Sequence, residues 1–336
     1  MKNNILIFGA GSIGNHMAYA ARKLNYDVGV TDINKKALLR MKDRIFPKRY
    51  GYWDKKIKLI NYEDAFNQKK IFELVVIGTP PKTHKKLFNI IQKKILFKKL
   101  LIEKPLCTFK EKLDFKSDKF IFCGYNHSVS KSFSYFLNKI KWQKDINLID
   151  INWREGFSGI LNAHFWMKNE YDSYLGDITK GGGAIHEHSH GLHLAIILLR
   201  IFKKLNKSKI KLSSVYQQWK KLNYDKFSNI LIKNNNFILN YTCDLITEPA
   251  NKSVLLSGKN FTASWHCSYK KNTDVVIIIK NNKKFIKKFK KNRSSEFENE
   301  LLHIQRINKL NSYKKSFLSL DYAVEVMKII KKINEK

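Results

Sequence analysis

Two short stretches of this 336-residue chain bring together residue types that could do chemistry. The first is "GGGAIHEHSHGLH" at 181–193, where His186 to His190 spell H-E-x-x-H. On a helix that spacing puts two imidazoles one turn apart, with a glutamate able to activate a metal-bound water. A zinc hydrolase also needs a third protein ligand and an open position. The long zincin form would place glycine and histidine where His193 and Ile196 stand, and the short form needs a downstream glutamate, yet the next after Glu187 is Glu248. The same residues serve a simpler purpose. His190 titrates near neutrality and can act as general acid and base, while Glu187, three residues earlier on one helical face, could fix its tautomer or contact substrate.

The second stretch, "NILIFGAGSIGNHMAYAARKLNYDVGVTDIN", begins at Asn4. "ILIFGA" reads as a strand buried on both faces, Gly9, Gly11 and Gly14 follow in G-x-G-x-x-G spacing, a helical period comes next, and "DVGVTD" is a second strand ending in Asp32. In that context the glycines form a dinucleotide fingerprint. Gly9 permits the turn, Gly11 admits a pyrophosphate, and Gly14 lets helix and strand pack closely. The helix start at Ser12 and Ile13 offers unpaired N–H groups to phosphate. Asp32 would accept both ribose hydroxyls and repel a 2′-phosphate, so NAD is expected rather than NADP.

The strands "KIKLI", "LVVIGTPP", "KKLLIEKP" and "KFIFCGYN" continue the alternation with helices, which predicts an α/β Rossmann domain, a doubly wound parallel sheet with its crevice at the carboxyl ends of the strands. Its expected extent is residues 1–125. Residues 126–336 read as an α+β substrate-binding and oligomerisation domain, opening on "INLIDINWREG". Alternating strands separated by Asn-rich turns ("KNNN", "KNN") predict a largely antiparallel, open-faced sheet there, closed by amphipathic helices, the last of which could pack back on the first domain. One face of such a sheet seeks a partner, so a homodimer or homotetramer is expected.

"GAGSIG", "TPPKTH", "EKP", "GYNH" and "GGGAIHEHSH" together resemble the Gfo/Idh/MocA family of sugar and cyclitol dehydrogenases, in the family's order and over nearly the whole chain. The resemblance implies that Lys104 of "EKP" is the active-site lysine beside the nicotinamide, that Glu103 and Pro105 shape its loop, and that Thr79 and Pro80 lie along the cofactor with His84 starting the next helix. It implies that His190 is the catalytic histidine and Glu187 its carboxylate partner. Tyr125, Asn126, His127 and His186 are expected on the substrate side. The sequence departs from the family at two points, His193 for a later aspartate and Ser128 for an arginine, both where substrate should sit. The implied reaction is NAD-dependent hydride transfer at a secondary hydroxyl or ketone of a carbohydrate-type substrate. An NAD-dependent glycoside hydrolase and a non-enzymatic dinucleotide-sensing regulator are the alternatives.

A net charge of +36 raises the question of nucleic acid, but the lysines are spread over the chain without the arginine–aromatic clusters that stack bases, so a solvated basic surface is expected. No apolar run reaches the ~18 residues of a membrane span. The four cysteines stand far apart with no C-x-x-C; with no secretory signal in the opening residues, a cytoplasmic protein without a structural metal is expected. His16, His164, His266 and His303 read as structural or surface residues. The aromatic, basic segment "FPKRYGYWD" (46–54) fits either a loop near the adenosine end of a dinucleotide or an oligomer contact.

Overall fold

The computed structural model describes residues 3–203, 209–219, 222–234, 236–270 and 272–335. The chain divides into two compact units: one of residues up to Cys107, Glu111–Asn126 and Ser294–Leu320, the other of Thr108–Lys110, His127–Arg293 and the residues from Asp321 onward.

The first unit is built on six parallel strands: β1 (Asn4–Phe8), β2 (Asp27–Thr31), β3 (Lys58–Ile60), β4 (Phe72–Ile77), β5 (Phe97–Glu103) and β6 (Phe120–Gly124). Their order is β3-β2-β1-β4-β5-β6. Ile5, Leu6 and Ile7 are wholly buried, as a continuous apolar run in a sheet covered on both faces must be. The strand order reverses between β1 and β4, which is where a doubly wound sheet opens its ligand crevice. A late segment of the chain completes this unit. The helix Arg293–Arg306 ends on the buried Lys99 of β5, whose ammonium donates to the carbonyls of Ile304 and Gln305 and to Asn308. A cation at a helix C-terminus satisfies carbonyls that have no partner within the helix.

The second unit carries eight strands: β7 (Ile146–Arg154), β8 (Lys209–Trp219), β9 (Leu222–Asn234), β10 (Phe237–Asp244), β11 (Asn251–Gly258), β12 (Phe261–Lys270), β13 (Thr273–Lys280) and β14 (Lys283–Lys290). They run in the order β14-β13-β12-β11-β7-β10-β9-β8. The pairing is antiparallel throughout except between β7 and β10. In β12 the alternation is literal: Phe261, Ala263, Trp265 and Cys267 are buried, and the residues between them keep some exposure. Asn281 and Asn282 turn β13 into β14 with positive φ at both positions, the conformation an Asn-rich two-residue hairpin supplies. The other Asn-rich turn, at 233–236, includes Asn235, which lies outside the described residues. No helix among the described residues is long and apolar enough to cross a membrane.

Candidate active site

The glycine turn of the first unit is shaped by two contacts within the protein and by one open space. Gly9 has φ near +109°, where a side chain is strained. A Cβ on Gly14 would lie 1.9 Å from the Gly9 carbonyl oxygen, so the first turn of the helix Ser12–Lys23 rests directly on the loop. Gly11 differs. Its backbone is extended and nothing within 4 Å would meet a Cβ there. Neither packing nor conformation demands glycine at position 11, whereas close approach of a ligand to the backbone does. The helix that follows has no acidic residue in its first turn, so its N–H groups and dipole are left uncompensated.

Asp32, at the end of β2, accepts the Ala10 N–H (2.8 Å) on one oxygen and the Asn34 N–H (2.8 Å) on the other. The partly exposed carboxylate is thus aimed by the glycine loop itself, and each oxygen retains a lone pair for a hydroxyl. Segment 46–54 lies against the same helix. Tyr50 stacks on Tyr19 at 3.7 Å between centroids and its hydroxyl lies 2.5 Å from His16. Arg49 donates to the Ser12 carbonyl (3.0 Å) and to the Ser12 hydroxyl (2.9 Å).

At the ends of β4 and β5 two loops are joined through one imidazole. His84 is wholly buried, with Nε2 2.7 Å from the Thr79 carbonyl and Nδ1 3.0 Å from that of Pro105. Burial holds its pKa below the ordinary value against the pull of those carbonyls. The sequence-predicted turn at Thr79–Pro80 and the "EKP" loop are therefore tied together by a residue with a positioning role. Glu103 closes β5 beneath Lys104, whose backbone N–H lies 3.3 Å from its carboxylate. Gly124, at the end of β6, leaves room for that carboxylate, since a Cβ there would meet both oxygens at 2.7 Å. The helix Arg293–Arg306 adds Glu300, fully buried. Burial pushes its carboxyl well up, reinforced by the negative charges of Glu103 and Glu296. Tyr125 and Asn126 follow β6 and are also buried.

In the second unit the predicted single helix carrying Glu187 and His190 is two segments, Ala184–Glu187 and Ser189–Ile201. His188 has φ −93° and ψ 16°, and its carbonyl accepts the Tyr241 hydroxyl (2.7 Å) as well as the Gly191 N–H (3.0 Å). A carbonyl held from outside ends one segment and starts the next, so the simple three-residue spacing on one helix does not describe Glu187 and His190. From Gly181 to Leu199 those two are the side chains that keep partial exposure. The start of the first segment is organised by Asp225 of β9. One carboxylate oxygen accepts the Ile185 N–H (2.8 Å) and the Ser228 hydroxyl (2.7 Å), and the other abuts Gly183, whose φ is +90°. Burial pushes this carboxyl up to about 7.

The His190 ring meets that of His127 at 4.6 Å, nearly perpendicular, with Trp153 behind both. His127 in turn lies 3.7 Å from the Cys267 sulfur, to which Lys291 donates (3.4 Å) while pairing with buried Asp274 (2.8 Å). The predicted site residues His190 and His127 thus come together. His186 does not join them; it is wholly buried, with the ring of Phe109 at 6.2 Å, and His193 packs toward Tyr322 at 5.9 Å. Sequence reasoning missed Arg49, Asp225, Cys267, Lys291 and Glu300. A carboxylate on the otherwise apolar face of Phe297, Leu301 and Ile304 was the available signal for the last.

No protein-family model and no curated protein matches the sequence. Solved structures share its fold over the entire chain. An NAD-binding oxidoreductase from Klebsiella pneumoniae aligns with 100% of this chain and 96% of its own, at TM-score 0.74 and 12% identity. An inositol dehydrogenase homolog from Azotobacter vinelandii, solved with NAD+, aligns over 100% and 96% at TM-score 0.72 and 14% identity. The WlbA dehydrogenase from Bordetella pertussis, solved with NADH and UDP-GlcNAcA, aligns over 100% and 96% at TM-score 0.67 and 12% identity. The chain has the fold of these proteins.

Proposed function

We propose that the protein is an NAD-dependent oxidoreductase of the Gfo/Idh/MocA type, moving hydride between nicotinamide and a secondary hydroxyl or ketone of a sugar, amino-sugar, nucleotide-sugar or cyclitol derivative. The observation that carries this reading is Gly11, a glycine facing open space at the mouth of an uncompensated helix dipole. Asp32 beside it offers acceptors for ribose hydroxyls. The shared fold adds support, because the Azotobacter and Bordetella proteins were solved with NAD+ and NADH.

In this reading Gly9, Gly11, Ser12, Ile13 and Gly14 hold the pyrophosphate, Asp32 the adenosine ribose, and the Thr79–Pro80 turn and Glu103–Lys104 the nicotinamide end. Bound NAD supplies the hydride acceptor. His190 takes the hydroxyl proton as the alcohol is oxidised and returns it in the reverse direction. The Lys104 ammonium lowers the energy of the developing alkoxide, and Glu187 orients the imidazole or contacts substrate. His127 stands against His190, where it restricts ring rotation and faces substrate. The buried cysteines Cys107, Cys123, Cys243 and Cys267, which form no disulfide, suit a reducing, cytoplasmic setting. Exposed apolar side chains on one face of the sheet, among them Ile238, Ile279 and Ile286, support self-association through that surface.

The test is a screen of nucleotide sugars, free sugars and inositols with NAD or NADH, read as change in nicotinamide absorbance. Lys104→Ala and His190→Ala should lower kcat by about 100-fold or more while NAD still binds. An inert panel with cofactor bound favours a dinucleotide-sensing regulator. Release of free sugar without net absorbance change favours a glycoside hydrolase.

A further inference from the structure

Segment 46–54 has no place in the reaction described above, yet it is fastened to the dinucleotide helix. Resting on the dinucleotide reading, we propose that Arg49 is a pyrophosphate-binding residue that sets affinity for NAD. The helix Phe46–Tyr50 presents its guanidinium at Ser12, the first residue of Ser12–Lys23, through bonds of 3.0 and 2.9 Å to the carbonyl and the hydroxyl. Ser12 directly follows Gly11, the residue that leaves room for a phosphate against the backbone. A group bound by the N–H donors of this first turn would come within reach of the guanidinium that the Ser12 hydroxyl holds.

The placement is rigid. Tyr50 is stacked on Tyr19 and in contact with His16, Phe46 packs edge-on against Tyr50 and Trp53, and Asp54 pairs with Arg22 of the same helix at 2.8 Å. Tyr19, His16 and Arg22 all lie on the helix whose N-terminus would hold the anion, so the cation is pre-organised toward it. A guanidinium carries five N–H donors in a planar fork that matches phosphate, and its two bonds to Ser12 use a donor on each terminal nitrogen. With no carboxylate in the first helical turn, Arg49 supplies a full positive charge where the helix supplies a partial one. The 2′-position of the ribose is a different place. It belongs to Asp32, which is bonded to the other end of the glycine loop.

The experiment measures Kd for NAD, NADP, ADP-ribose and adenosine in the full-length protein and in Arg49→Ala and Arg49→Lys, with Tm recorded for each. Loss of a charged hydrogen-bond pair corresponds to about 10- to 100-fold. Arg49→Ala should weaken NAD and ADP-ribose by that factor and leave adenosine within about twofold, and Arg49→Lys should fall between. Unchanged affinity for NAD and ADP-ribose overturns the proposal. So does equal weakening of all four ligands with a fallen Tm, the mark of a purely structural residue, or weakening confined to NADP, the mark of a 2′-phosphate reader. If the unaltered protein binds neither NAD nor NADP, the underlying dinucleotide reading is what has failed.

Discussion

Replacing Asp225 by asparagine tests how the second unit holds its histidine-bearing segment. The carboxyl is fully buried and pushed up to about 7 from an ordinary value of 3.8, by burial first and against the bonds from Ser228 and Ile185. In the unfolded chain it titrates near the ordinary value. Between those two pH values the folded protein keeps a proton that the unfolded chain has released, so stability falls as pH rises through the window and levels off above it. Each pKa unit is worth about 1.36 kcal/mol, which makes the total on the order of 4 kcal/mol. An asparagine amide does not titrate in this range. The variant Asp225→Asn should therefore gain on the unaltered protein by about 3–4 kcal/mol between pH 4 and pH 7.5, whatever other groups contribute to both. Urea unfolding at half-unit pH steps, followed through the buried Trp153 and Trp265 of the same unit, measures that difference. A difference constant with pH to about 0.5 kcal/mol would refute the claim that Asp225 is protonated in place. Asp225→Ala, which loses both bonds at every pH, should also lower turnover, since the Ile185 N–H it holds lies two residues before Glu187.

Gly11→Ala should leave Tm nearly unchanged, because the new methyl meets nothing in the protein, yet weaken NAD binding by about 10- to 100-fold through overlap with the ligand; calorimetric titration alongside thermal melting separates the two effects. Lys291→Met should cost about 3 kcal/mol in urea unfolding, because it strands the buried Asp274 carboxylate. A loss under about 1 kcal/mol would show that Ser132 and the Ser268 N–H suffice to hold that carboxylate.

The first sheet was legible because its information is local. A run such as "ILIF" is long enough to be a strand, too short to be a helix, and ends on a turn with G-x-G-x-x-G spacing. Asp32 could be read for the same reason, since it ends the next strand. The antiparallel sheet was legible from alternation, as in "FTASWHC", and from the asparagines that permit positive φ at Asn281 and Asn282. Its one parallel pair, β7 with β10, was not, because strand direction inside a sheet depends on the path between strands. Nor was the break at His188. Residues 184–201 have continuous helical character, and what interrupts them is a hydroxyl from Tyr241, more than fifty positions away in sequence.

The same limit explains which candidate residues were legible in the sequence and which were not. Motif residues such as Lys104 and His190 announce themselves by type and spacing, whereas Arg49 and Asp225 matter through what they touch. Arg49 reads as one of many basic surface residues until its fork is seen on Ser12, and Asp225 reads as a polar residue in a strand until its oxygen is seen against Gly183. Both act on the backbone of a motif segment rather than on its side chains alone. Such a partner can come from anywhere in the chain, so no spacing rule marks it. Because backbone groups are the same for nearly every residue type, the supports at the Ser12 carbonyl and the Ile185 N–H would survive changes in the side chains they position. Side-chain changes within the segment 184–193 should therefore leave the anchor at Asp225 in place.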